Sequence, residues 1–162
     1  KNNMGRDILV DGYNVIKRDA SFQSVRKKSF EAARHALITQ LVNRYRHTPY
    51  RVTIVFDGDA PGEQVAHEQR VRIIFSRAGE TADAVIARLA AQARAEGRDV
   101  ELFSDDLEVQ HAVRKVGGSA QTTSQLTSQL NAPPAHLKRL ARHRQFVRQK
   151  YGLDPMSGKD GD

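Results

Sequence analysis

Three short hydrophobic segments of the chain each lead into aspartate. The segments cover residues 8–10, 54–56 and 102–104, and they are followed by Asp11, Asp57 and the pair Asp105-Asp106. If these segments are parallel strands, their carboxylates meet at the edge of the sheet where α/β proteins bind ligands. Glu80 and Asp83 follow another hydrophobic segment and should reach the same edge.

Carboxylates gathered in this way favour a metal site. Acidic groups within about 5 Å of one another repel and raise each other's pKa unless a cation lies between them. Oxygen ligands suit Mg²⁺ or Mn²⁺, and such a site can activate water for phosphodiester hydrolysis. Asn14, three residues after Asp11, is expected to orient a ligand carboxylate or its water. A single aspartate at a strand end is more often a helix cap or a turn residue, so it is the convergence of several acidic motifs on one edge of the sheet that indicates a metal site.

Covalent hydrolysis is not expected. The chain has no cysteine, which excludes disulfides, thiolate metal sites and cysteine nucleophiles. The six histidines are scattered, and no Ser-His-Asp arrangement accompanies a nucleophile turn. Asp57-Gly58-Asp59 resembles the Asp-x-Asp of haloacid dehalogenase-type hydrolases, but Pro61 stands where a threonine should follow.

The elements that would position the acidic residues alternate between strand and helix. Strands are predicted at 6–11, 52–56, 71–75, 100–103 and 120–122, with a turn at 12–14. Helices are predicted at 29–46, 82–96, 107–116 and 124–130, with Ser29, Thr81 and Ser124 as N-caps and Asp105 with Glu108 as a capping box. This order predicts an α/β sandwich with a mainly parallel central sheet.

The charge of the chain favours an anionic partner. Its 162 residues include 26 Lys and Arg against 19 Asp and Glu, a formal charge of +7. The segment 134–152 holds six basic residues and no acidic one, and a second basic group lies at 17–28. Nucleic acid is therefore the first expected partner, with anionic lipid a distant second. No apolar run approaches the roughly 20 residues of a membrane span, so no membrane partner and a cytoplasmic location are expected.

Two regions are predicted along the chain. Residues 1–130 are expected to form the catalytic domain, and residues 131–162 a Pro-containing linker, a basic helix and a flexible tail. A sparse apolar stripe on the helix would allow it to dock on the domain, and its basic residues would allow it to bind RNA instead. The sequence does not indicate the oligomeric state of the protein.

The acidic motifs occur in a recognisable order. Asp11-Gly-Tyr-Asn14, Val55-Phe-Asp57, Gly79-Glu-Thr-Ala-Asp83 and Ser104-Asp105-Asp106 together resemble the NYN domains, which are PIN-like metal-dependent ribonucleases, and specifically the YacP-like branch. The resemblance covers roughly residues 8–130. That branch includes a ribosome-associated bacterial endoribonuclease that cleaves messenger RNA. The resemblance implies a three-layer PIN-like sandwich, Mg²⁺- or Mn²⁺-dependent cleavage of single-stranded RNA, and the ribosome as a candidate partner.

The resemblance also implies roles for individual residues. Asp11, Asp83 and Asp105 would be the central catalytic and metal-binding carboxylates. Asp106 would be a further metal ligand or the cap of the following helix. Asn14, Asp57 and Glu80 would support the site, Glu80 either by aiding the metal or by holding its turn.

The expected mechanism is in-line attack of a metal-bound water on a phosphodiester, without a covalent intermediate. The candidate RNA-binding residues are Tyr13, Lys17, Arg18, Arg26, Lys27, Lys28, Arg77, Lys138, Arg139, Arg142 and Arg148. Tyr13 would either stack on a base or pack against the next helix, and packing is slightly favoured. Two alternatives remain: a non-catalytic module that binds RNA or the ribosome, and a structure-specific DNA nuclease of the wider PIN class.

Overall fold

The structure is a computed structural model that describes residues 5–132 and 135–151, without the side chains of residues 135–141 and 151. The chain divides into two compact units, Lys1–Leu130 and Asn131–Asp162. The first unit contains the sheet and the acidic residues, and the second contains the basic C-terminal segment.

The described elements alternate as the sequence predicts. The strands are β1 (Arg6–Asp11), β2 (Arg51–Phe56), β3 (Gln64–Glu68), β4 (Val71–Phe75), β5 (Asp99–Phe103) and β6 (Ser119–Gln121). The helices are α1 (Gly12–Arg18), α2 (Gln23–Lys28), α3 (Phe30–Tyr45), α4 (Ala82–Ala95), α5 (Leu107–Lys115), α6 (Thr123–Asn131) and α7 (Ala135–Tyr151), with a 3₁₀ turn at Ala20–Phe22.

The six strands form one sheet in the order β3-β4-β2-β1-β5-β6, and only the edge strand β3 is antiparallel to its neighbour. β2, β4 and β3 lie on one side of β1. The chain then crosses over, and β5 and β6 lie on the other side of β1. The order therefore reverses between β1 and β5. In parallel α/β sheets this reversal opens a crevice at the carboxyl ends of the two strands, where ligands bind.

Two hydrophobic cores lie on opposite faces of the sheet. Ile8 and Val10 pack with the apolar faces of α1, α3 and α6. Leu9, between them in sequence, packs on the other face with α4 and α5. This period of two is the alternation of a strand that is buried on both faces. The predicted mainly parallel α/β sandwich is confirmed, with helices on both faces.

Three local predictions were wrong. Residues 12–14 form the first turn of α1 rather than an isolated turn. Gly12 permits this tight entry because a Cβ atom at that position would lie 2.2 Å from the ring of Phe56. The predicted capping box at Asp105 is absent, since Asp106 is the N-cap of α5 and accepts from the amide of Glu108 at 2.9 Å. The predicted caps Ser29 and Thr81 are confirmed, whereas the predicted cap Ser124 lies inside α6, and it is Thr122 Oγ1 that accepts from the amide of Gln125, at 3.1 Å.

The sequence prediction also missed β3. Every residue of this strand is exposed, so it lacks the alternation of apolar and polar residues that identifies a half-buried strand. Backbone pairing with β4 places it in the sheet, with Val65 opposite Ile74.

The C-terminal unit contains α7, on which Arg142, Arg144, Arg148 and Lys150 are exposed. The side chains of Lys138 and Arg139, residues 133–134 of the predicted linker and the predicted tail from 152 onward lie outside the described residues. Whether α7 docks or binds RNA stays a prediction. Within the described part of the chain, no helix combines the length and apolarity needed to cross a membrane.

Candidate active site

Asp11 lies at the end of the central strand β1 and is 6 % exposed. One of its carboxylate oxygens accepts a hydrogen bond of 2.7 Å from Ser104 Oγ, which follows β5 and is fully buried. Asn14 Oδ1 accepts from the backbone amide of Asp105 at 2.7 Å. These bonds join the ends of β1 and β5 across the crevice, so Asn14 positions the backbone beside the acidic residues.

Asp57 connects the end of β2 to α4. Its Oδ1 accepts from the backbone amide of Ala82 at 2.8 Å, at the N-terminus of that helix. Thr81 Oγ1 accepts from the amide of Ala84, which completes the cap. Asp83 lies in this first turn of α4. The position of Asp83 is therefore determined by the side chains of Thr81 and Asp57 as well as by the helix.

Asp106 is held in place at the start of α5. Its amide donates to Ser104 Oγ at 3.0 Å, and its carboxylate accepts from the amides of Glu108 and Val109. The buried Ser104 hydroxyl therefore links Asp11 to Asp106. Ser104 thus helps to position both of these aspartates.

Asp83, Asp106 and Glu108 form a candidate cation site, because each offers a carboxylate oxygen within 4.8 Å of the others. Carboxylate oxygens are the ligands that hard divalent cations such as Mg²⁺ prefer, so the chemistry of this donor set suits such a cation. Together with Asp11 and Asp57, these residues are called the acidic cluster below.

The pKa values within the acidic cluster reflect burial and mutual repulsion. Burial raises the pKa of Asp11 to about 6, the Ser104 hydrogen bond opposes the shift, and the charges of Asp83, Asp106 and Asp57 add to it. Burial and then the neighbouring Asp106 raise the pKa of Asp83 to about 6. A divalent cation among these groups would remove the repulsion.

Asp105 has different partners from the cluster. Its two carboxylate oxygens accept from the backbone amide and hydroxyl of Thr123, at 2.9 and 2.8 Å, at the start of α6. Among the described residues, the group that could hold a cation includes Asp106 and not Asp105. The central role that the family resemblance implies for Asp105 stays a prediction, and the geometry favours Asp106.

Glu80 and Arg77 pair with nearby charges. Glu80 lies 4.0 Å from Arg77 and 3.7 Å from Arg88, and Arg88 also contacts Glu63 at 2.9 Å. These ion pairs tie the turn before α4 to the loop that precedes β3. The structure thus gives Glu80 contacts that hold its turn.

Ser104 and Glu108 were not among the predicted site residues. In the sequence, Ser104 belongs to the Ser104-Asp105-Asp106 motif, and Glu108 is predicted only as a partner in a capping box. An acidic residue in the first turn of a helix is also favoured by the helix dipole, so Glu108 has no distinctive sequence signal. The polar residue between a buried strand and two aspartates was the available signal for Ser104.

The predicted RNA-binding residues of the first unit differ in their contacts. Lys17, Arg18, Lys27 and Lys28 are exposed. Arg26 donates to the carbonyls of residues 16 and 17 and therefore braces α1 against α2.

Tyr13 packs within the domain. Its ring lies 5.5 Å from Phe30 and 5.0 Å from Phe56, and its hydroxyl accepts from Arg34 at 2.8 Å. These contacts agree with the packing alternative that the sequence slightly favoured.

Comparison with known proteins connects this arrangement to one family. The chain is 28 % identical over 137 residues to the uncharacterized protein YacP of Bacillus subtilis (strain 168). The aligned region covers 83 % of this chain and 81 % of the relative. It resembles the crystal structure of Rae1 (YacP) from Bacillus subtilis with a TM-score of 0.64, 26 % identity, and coverage of 88 % and 82 % of the two chains. A tryptophan-to-leucine mutant of Rae1 matches with a TM-score of 0.69, 27 % identity, and coverage of 94 % and 87 %.

The family model extends beyond the sheet. The model of the YacP-like NYN domain matches residues 8–160, which include the acidic cluster and most of the basic C-terminal unit. This match confirms the family that the motifs of the sequence indicate. The chain belongs to the YacP-like NYN domain family, a family of nuclease type.

Proposed function

We propose that this protein is a divalent-metal-dependent endoribonuclease that cleaves single-stranded RNA. The observation that supports the proposal best is the acidic cluster at the reversal point of the sheet, where burial and like charges raise the pKa values of Asp11 and Asp83 to about 6. Perturbed carboxylates in a crevice are typical of functional sites. Messenger RNA as substrate and the ribosome as partner are the further expectations that the family resemblance supplies.

The residues suited to hold Mg²⁺ or Mn²⁺ are Asp83, Asp106 and Glu108, with Asp11 beside them. Such a cation supplies charge neutralisation and a lowered pKa of water, which is the chemistry of phosphodiester hydrolysis. Asp57 and Ser104 position this set from opposite sides of the crevice. Asp105 and Asn14 act on the backbone around it through their hydrogen bonds to Thr123 and to the Asp105 amide.

The exposed basic residues hold the RNA strand in this proposal. Lys17 and Arg18 lie at the end of α1, which begins directly after Asp11, and Lys27 and Lys28 end α2. In the C-terminal unit, α7 presents Arg142 and Arg148. Lysine and arginine contacts to phosphates release counterions, so binding should weaken steeply as salt concentration rises.

The test is cleavage of a labelled single-stranded RNA with Mg²⁺ or Mn²⁺. Asp11→Asn and Asp83→Asn should each lower the rate about 10³-fold, because each removes a carboxylate from the cluster. Asp99→Asn is the matched control, since Asp99 lies at the start of β5, away from the carboxyl ends of the strands. If the unsubstituted chain shifts RNA on a gel but leaves it as intact as the variants do, the chain is a binding module instead. Preferential cutting of DNA flaps would indicate the other alternative, a structure-specific DNA nuclease of the wider PIN class.

The binding alternative is favoured by one observation, the density of exposed cations on α7. A chain truncated after Asn131 tests the proposed division into residues 1–130 and 131–162. We expect weaker binding of RNA or ribosomes with little change in melting temperature. A large loss of stability with unchanged binding would assign the C-terminal unit to packing.

A further inference from the structure

A polar cleft of about 490 Å³ adjoins the acidic cluster, and its lining includes Tyr13, Arg34, Asp57, Asp59, Gln64 and Phe75. Asp57 belongs to both sites, since its charge also acts on Asp11 and Asp83. The volume lies within the roughly 300–1,000 Å³ that is typical of small-molecule pockets. A ligand in the cleft would therefore lie next to the proposed position of phosphodiester cleavage.

Aromatic rings lie along one side of this cleft. Phe75 at the end of β4 is partly exposed and stacks on Phe56, with the ring centroids 5.3 Å apart and an angle of 26° between the planes. Tyr13 meets Phe56 at 5.0 Å. Unstacked bases of single-stranded RNA are commonly held against such rings. Phe56 is itself fully buried, so Phe75 and Tyr13 are the rings that offer a surface for a flat ligand.

Arg34 of α3 lies at the same cleft. Its Nη1 donates to the Tyr13 hydroxyl at 2.8 Å, and its guanidinium lies 5.5 and 5.9 Å from the ring centroids of Phe75 and Phe56. Among the described residues it makes no ion pair with a carboxylate. Since the Tyr13 contact fixes its position, Arg34 is available to stack on a base or to contact a flanking phosphate.

The polar side chains of the cleft favour a base over a phosphate. Asp57 and Asp59 both lie on its lining and would repel an anion. Within the part of the chain that the structure describes, the side chains of Asp59 and Gln64 make no hydrogen bond. An ionised carboxylate only accepts hydrogen bonds and can accept two in parallel. A ligand with two adjacent N–H donors would therefore suit Asp59.

We propose that this cleft binds the base of a nucleotide adjacent to the cleaved phosphodiester, and that Asp59 makes guanine the preferred base. Guanine presents N1–H and the N2 amino group side by side, whereas the amino groups of adenine and cytosine lie beside a ring acceptor. Uracil presents one N–H between two carbonyls. This inference rests on the proposed RNA cleavage and assigns that site its nucleotide preference.

The test measures binding without cleavage. Fluorescence anisotropy would be recorded for the full-length chain carrying Asp83→Asn, with short oligouridine RNAs that contain a central G, A, C or U. We expect the G oligonucleotide to bind about tenfold more tightly than the others, as one bidentate contact to a base supplies. Adding Asp59→Asn should reduce this preference to less than about twofold without weakening binding of the all-uridine RNA, because the variant also removes a negative charge that repels phosphates. Asp59 is exposed, so the variant should fold.

A second variant tests the arginine. Arg34→Met should weaken binding of every oligonucleotide, whereas Arg44→Met on the same helix is the matched control and should change none. Equal affinity for the whole set, or a guanine preference that survives Asp59→Asn, would overturn the inference. RNA cleavage without base preference would contradict only this inference. An Asp59-dependent guanine preference in a chain that cuts no RNA would contradict only the proposed ribonuclease.

Discussion

The two ends of β1 place aspartates in opposite electrostatic surroundings. Asp7 and Asp11 are four residues apart and nearly equally buried, at 5 % and 6 % exposure. Asp7 accepts two hydrogen bonds of 2.9 Å from Arg51 and one of 2.6 Å from Arg98. Asp11 has one hydroxyl donor and three acidic neighbours. Burial alone therefore does not distinguish a structural carboxylate from a functional one.

The pKa values of the two groups move in opposite directions. Burial acts most strongly on Asp7, but the combined effect of Arg51 and Arg98 lowers its pKa below 3.8. Burial and acidic neighbours raise the pKa of Asp11 to about 6. The charge of Asp7 is neutralised by two arginines of the chain itself. Asp11 is repelled by its acidic neighbours, and a bound cation would relieve that repulsion. Uncompensated charge of this kind is typical of a binding site.

The largest expected effect is on stability at the neutralised end. Asp7→Asn should lower the free energy of unfolding by about 3 kcal/mol, because it breaks the buried pair with Arg98; the half-exposed Arg51 keeps Glu96 at 3.7 Å and adds little to the loss. RNA cleavage at a permissive temperature should be unchanged. Urea unfolding measures the loss, and Asp99→Asn, which removes an exposed pair with Arg94 at 3.4 Å, should change it by less than about 0.5 kcal/mol.

The second prediction also concerns the free energy of unfolding, but here we expect the substitution to raise it. With a chelator present near neutral pH, Asp11→Asn should raise the free energy of unfolding by about 2 kcal/mol, because it removes a buried charge among like charges. An asparagine oxygen can still accept from Ser104. The same variant should cleave RNA about 10³-fold more slowly. Destabilisation comparable to that of Asp7→Asn would show that Asp11 is a structural group.

The two ends should also respond differently to pH. The stability supplied by Asp7 is present above its unfolded pKa and is lost as pH falls through its depressed folded pKa. The penalty from Asp11 is absent below its unfolded pKa of 3.8, grows as pH rises, and is complete above about 6. Mg²⁺ should therefore raise the melting temperature by about 3–5 °C near pH 7 and by less than half of that near pH 5. Scanning calorimetry against NaCl of matched ionic strength measures this, and an equal shift at both pH values would exclude the cluster as the binding site.

The smallest predicted effect is a difference in Mn²⁺ affinity between variants of the adjacent residues Asp105 and Asp106. Asp106→Asn should weaken Mn²⁺ binding at least tenfold, whereas Asp105→Asn should weaken it less than about threefold, because the Asp105 carboxylate bonds to Thr123. Titration calorimetry measures both affinities. The reverse order would restore Asp105 to the central role that the family resemblance implies.

Much of the site could be predicted because it depends on strand ends. A buried β-rich segment followed by aspartate identifies the position of Asp11 and Asp57 without any knowledge of contacts. The choice between Asp105 and Asp106 could not be made in this way. It depends on the conformation at the junction, where Asp106 adopts φ −75° and ψ 117° as the cap of α5 while the Asp105 side chain bonds to Thr123 at the start of α6. The side chains of adjacent residues at a strand-to-helix junction point in different directions, and sequence spacing does not indicate which of the two faces the metal site.

The sequence by itself determined the α/β class, the strand-end carboxylates and the uneven positive charge, because these follow from local periodicity and residue type. Tertiary structure alone decided which carboxylates share a site and which are neutralised. Arg98 reaches Asp7 across 91 residues, and Ser104 reaches Asp11 across 93. Such pairings depend on strand order, since β5 lies beside β1 only after the chain has completed the other half of the sheet. The contrast between the two ends of β1 is therefore a property of the fold.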